Sequence, residues 1–181
     1  SRDVAFVISL AGVGVDGLQI LKLQNEAILR TTPGMTPERV DQFMSLFNTL
    51  FDKVHAVPLE EPLDVPLRQA FDQWVAQQDE ATLKAVNFND GRDEMFFSRY
   101  LHQAQGRWYR EMISYDPEDY IPRIHQPVLA LNGDKDIMVP AKENLASIKQ
   151  LLDKGGNTRY KIVELPGLNH MFQRCKECTR E

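Results

Sequence analysis

Leu131-Asn132-Gly133-Asp134-Lys135-Asp136-Ile137-Met138-Val139-Pro140 is the stretch on which the fold of this chain turns. Just before it, Pro127-Val128-Leu129-Ala130-Leu131 is a short apolar run with the length and composition of a strand buried on both faces. The run stops at Asn132-Gly133, and Asp136 follows three positions after the glycine. In open α/β sheets the groups that do chemistry gather beyond the carboxyl ends of strands. Asp is also common after glycine in ordinary loops, and Asp134 competes for the same role. Which of the two carries the role is open at this point.

Downstream, Ala141 to Asp153 reads as a helix ended by Gly155-Gly156. Arg159-Tyr160-Lys161-Ile162-Val163-Glu164-Leu165 then alternates like a strand, and Pro166-Gly167 turns it. Strand, helix and strand joined by short connections form a right-handed parallel unit, so the two strands are expected side by side. Leu168-Asn169-His170 lies just past the end of the second one. Asp136 and His170 are therefore expected on one rim of the sheet. A carboxylate that accepts a hydrogen bond from one imidazole nitrogen fixes the tautomer and stabilises the imidazolium, leaving the other nitrogen free to act as a base.

Towards the N-terminus, Val4-Ala5-Phe6-Val7-Ile8-Ser9-Leu10 is a third strand signal, apolar on both faces and closed by Ala11-Gly12. It reads as a central strand of a parallel sheet covered by helices. From about Leu18 to Met112 the pattern is helical, with no strand signal. Thr36-Pro37 supplies a capping hydroxyl and then a proline at the first helical position. Behind it Val40, Phe43, Met44, Phe47, Leu50, Phe51 and Val54 recur at helical spacing. Pro58, Pro62 and Pro66 are expected to break the chain. Leu67, Ala70, Phe71, Trp74 and Val75 trace a further stripe. Phe96, Phe97, Tyr100 and Leu101, then Trp108, Tyr109, Met112 and Ile113, suggest one or two more.

Gly133-x-x-Asp136-x-x-Val139-Pro140 after a strand, with His170 in the loop after the next strand, resembles the α/β-hydrolase fold. That family orders its triad as nucleophile, acid, histidine, and the acid and histidine stand here in that order. Asp3-Val4-Ala5-Phe6-Val7-Ile8-Ser9-Leu10-Ala11-Gly12 resembles the strand after the family's nucleophile elbow. Taken together, Leu-Ala-Gly, Pro-Val-Leu-Ala-Leu-Asn-Gly and Leu-Asn-His are similar to bacterial serine hydrolases of the esterase, acyl-hydrolase and prolyl-oligopeptidase-like kind. The resemblance implies an α/β chain, a partial α/β-hydrolase fold of about three parallel strands within a single incomplete domain spanning residues 1–181. A large helical cap insertion would occupy about residues 17–115. Asp136 and His170 would be catalytic, no cofactor or metal would be needed, and the substrate would be a small ester, thioester or related acyl compound. The aromatic stripes at Phe43, Phe47 and Phe51, and at Trp74, read as core; the alternative is that some cap aromatics line an acyl or hydrophobic pocket, because caps in this fold often cover the site.

The resemblance fails at the nucleophile. Ser1, Ser9, Ser45, Ser98, Ser114 and Ser147 are the serines, and none stands in the Gly-x-Ser-x-Gly setting of the elbow. The oxyanion loop is missing as well. The expectation is a serine upstream of Ser1, with these 181 residues inert by themselves. A peptidase with the same triad is a second possibility within the enzyme class. A non-catalytic association module of the same fold is another. Three strands leave apolar surface uncovered and the strand at Val4 with an unpaired side, which invites a homodimer or a domain-swapped oligomer.

Bulk composition fits this picture. Hydrophobic residues make up 43% and charged ones 26%, as in ordinary globular proteins. The net charge is −5, with both signs mixed along the chain, which offers no basic stripe for nucleic acid. The apolar run from Val4 to Val15 is too short to span a bilayer. Cys175 and Cys178 are not a disulfide framework and read as an exposed, incidental pair, so they leave the compartment open. His55, His102 and His125 read as surface or packing residues.

Overall fold

The computed structural model describes residues 4–176 and 178. Its sheet has three parallel strands, β1 (Val7–Leu10), β2 (Val128–Gly133) and β3 (Tyr160–Leu165), in the order β1-β2-β3. The register aligns Val7 with Val128 and Tyr160, and Ser9 with Ala130 and Ile162. Side chains alternate across a strand, so these rows share one face. That face packs on α7 (Ala141–Lys154) through Leu145, Ile148, Leu151 and Leu152. Pairing of β1 with β2 continues to the rim, where the Ala11 N–H donates to Leu131 O.

The opposite face departs from the expectation of a sheet covered on both sides. Ile8, Leu129 and Lys161 form one of its rows, and Leu10, Leu131 and Val163 the next. Phe6 (61%), Ile8 (51%) and Leu10 (59%) are more than half exposed. β1 is also an edge strand of this sheet, not a central one.

Two compact units divide the chain. The sheet unit holds the residues up to Thr32 and those from Asp116 onward, and the helical unit runs from Pro33 to Tyr115. The helical unit starts at Pro33, where the expected cap started at about 17. α1 (Gly17–Thr31) belongs with the sheet because Ile20 buries itself against Val15 and Val139.

The helical unit contains α2 (Pro37–Ala56), α3 (Asp64–Ala76), α4 (Glu80–Ala85), α5 (Arg92–Ala104) and α6 (Arg107–Ile113). The Thr36 hydroxyl caps α2 by accepting from Arg39 N. Pro66 does not break the chain: it sits in the first turn of α3, where no intrahelical N–H is required. Phe51, Leu67, Phe71, Trp74 and Tyr100 are buried in the core, and Phe71 meets Phe97 at 5.0 Å between ring centres. Trp108, read as part of an apolar stripe, instead points to solvent at 73% exposure. Arg110 is buried and donates to the carbonyls of Val57, Pro58 and Glu61, the C-terminal end of α2 and the turn beyond it. Among the described residues no helix is long and apolar enough to cross a membrane.

Candidate active site

Both candidate residues lie past the carboxyl ends of neighbouring strands, Asp136 after β2 and His170 after β3. Two loops carry them, and backbone hydrogen bonds stitch those loops together. Asp134 N donates to Leu165 O, and Lys135 N donates to Leu168 O at 3.0 Å. The Asp134 carboxylate accepts from Gly167 N at 2.6 Å. Asp134 is thus a lock between the loops, exposed on its outer side and turned towards backbone, not towards the imidazole.

Gly133 is required at the crossing. A Cβ there would lie 2.1 Å from the carbonyl oxygen of Leu168, because the histidine loop passes directly over it. Gly167 turns that loop with φ +75°, a conformation glycine adopts without steric cost. Asn169 then organises the turn around the histidine. Its buried side-chain oxygen accepts from Met171 N and Gln173 N, and its own N–H donates to Gln173 O. A bridge from Leu168 to Arg174 brings the chain back on itself.

His170 Nδ1 lies 2.9 Å from Asp136 Oδ2. The Asp136 side chain is fully buried, while that of His170 is 37% exposed. Asp136 Oδ1 accepts from Met138 N and Val139 N, each at 2.8 Å. Those two N–H groups balance a carboxylate that burial would otherwise penalise. They also leave Oδ2 to accept from the imidazole, so Nδ1 carries the proton and the Nε2 lone pair is free. Among the described residues no hydrogen bond reaches Nε2, and no serine hydroxyl bonds to His170. The arrangement is an oriented imidazole with a buried carboxylate behind it and an open nitrogen in front.

The acid loop is held from its other side too. The Gln24 side chain, on α1, donates to Met138 O at 3.1 Å. Asn144, fully buried in the first turn of α7, accepts from Gly14 N and Val15 N and donates to Pro140 O. Sequence reasoning missed Asn132, Asn144 and Asn169. The available signal was the polar residue itself: a buried amide is tolerated only with partners, and Asn132 closes an otherwise apolar strand.

Cys175 and Cys178 are joined in a disulfide and are half-buried, contrary to the exposed, incidental pair expected. Cys175 N donates to Gly167 O, beside the histidine loop. His55, His102 and His125 are exposed, and His55 Nδ1 lies 3.2 Å from Ile113 O. No cluster of His, Cys, Asp or Glu among the described residues is arranged to hold a metal ion. Comparison with protein-family models, curated proteins and solved structures returns no match.

Proposed function

We propose that this chain supplies the base and the acid of a serine-hydrolase triad that cleaves an ester, thioester or related acyl bond. The observation that carries the proposal is the 2.9 Å contact between His170 Nδ1 and a sealed Asp136 carboxylate, with Nε2 left open at the rim of a parallel sheet. The nucleophile would be a serine outside these 181 residues. Its Oγ attacks the acyl carbon while His170 Nε2 takes the hydroxyl proton. The same proton goes to the departing alcohol or thiol as the acyl–oxygen or acyl–sulfur bond breaks. Water, deprotonated by the same nitrogen, then releases the acid and regenerates the serine. Asp136 keeps the imidazole in the required tautomer and stabilises its charged form. The same triad serves amide bonds, so peptide substrates belong in the assay. The protein carrying the upstream sequence is expected to hydrolyse short p-nitrophenyl acyl esters and to lose that activity with His170→Ala. Activity that survives the substitution rules the assignment out.

One observation favours a second reading, an association module. Phe6, Ile8 and Leu10 present an apolar row on the uncovered face of an edge strand. Apolar rows beside unpaired strand edges promote pairing between chains.

A further inference from the structure

We propose that Asn132 is a positioning residue that holds Asp136 against His170. The proposal rests on the triad reading above.

The physical question is why an apolar strand ends in a fully buried asparagine. Asn disfavours strands, and a buried amide is costly unless its donors and acceptors find partners. Asn132 is 1% exposed, and its backbone is fixed in the sheet opposite Glu164. Its side-chain Nδ2 crosses the base of the acid loop and donates to Val139 O at 2.8 Å. Its Oδ1 accepts from Gly133 N at 2.9 Å, which determines which end of the amide faces Val139. Val139 is therefore gripped on both sides: its C=O by Asn132 and its N–H by Asp136 Oδ1. Constraint passes from the sheet to Asn132, to the Val139 backbone, to the Asp136 carboxylate and finally to the imidazole. Without the Asn132 donor, Val139 loses one of its two anchors, and the N–H groups that orient Asp136 move with the loop. An aspartate here would set a carboxylate oxygen against the Val139 carbonyl, so the donor itself is needed, not merely the shape.

The test uses the 181-residue chain and nitrogen-15 NMR of the His170 imidazole. The wild type should show a single tautomer with the proton on Nδ1. Asn132→Asp and Asn132→Ala should lose that signature and show mixed tautomers. Leu152→Ala, which destabilises the core beneath the sheet without touching either loop, should keep it. Asp136→Asn separates the two ideas. If it leaves the His170 spectrum unchanged, the Asp136–His170 pair and the triad reading both fall. If it changes the spectrum while both Asn132 variants match the wild type, only the role of Asn132 is overturned. Should the Asn132 variants fail to fold, amide exchange in the wild type decides. The Asn132 side-chain proton on Val139 O should exchange more slowly than that of a solvent-exposed asparagine, and equal exchange overturns the proposal.

Discussion

Gly133 and Asp134 show how little freedom the residues around the candidate pair have. A methyl group at Gly133 would collide with the backbone of Leu168, so Gly133→Ala must push the histidine loop away. Overpacking of this kind costs about 1–3 kcal/mol. Urea denaturation should show that loss, together with a changed His170 NMR signal. A neutral result would mean that the loops do not cross as closely as described. The choice between the two acidic residues was open in the sequence, where only Val139-Pro140 favoured Asp136. Geometry separates them: Asp136 meets His170, and Asp134 meets the Gly167 amide. The roles of Asn132, Asn144 and Asn169 were not legible, because an Asn looks the same in sequence whether it braces a loop or faces water.

Strands and helices were more legible than their surroundings. β2, α7 and β3 fall where apolar runs, glycine stops and alternation put them, because a strand–helix–strand unit is specified by local pattern. α4 was not foreseen, being a single short helix with no buried residue to give it a period. Two buried phenols in the helical unit predict an alkaline pH response. Tyr100 and Tyr109 bury their hydroxyls 3.4 Å apart. Burial pushes both phenols above their ordinary range, Tyr100 the more strongly, with Tyr109 beside it adding to the shift. A group whose folded pKa lies above its unfolded one stabilises the fold fully below the unfolded value, about 10 for tyrosine, and loses that contribution as pH rises. Helical circular dichroism should therefore become easier to melt above about pH 10. Tyr100→Phe should cost about 1 kcal/mol at neutral pH and flatten the alkaline decline. An unchanged alkaline slope in that variant would show that the pair does not control it.

At the level of the whole chain, the sheet unit has one face packed on α7 and one face with exposed apolar side chains. The sequence could not distinguish these faces, since both are apolar and only packing decides which is covered. Light scattering should give a multiple of the chain mass, falling towards the monomer when Ile8 and Leu10 are replaced by lysine. A monomeric wild type would remove the case for association. The triad proposal is tested most directly by comparing kcat for acyl-ester hydrolysis in Asp136→Asn and Asp134→Asn, both made in a chain extended upstream to include the proposed serine. The buried contact to His170 predicts a fall of about 10⁴-fold for Asp136→Asn, with Asp134→Asn staying close to the wild type. Equal losses, or a larger loss at Asp134, would contradict it.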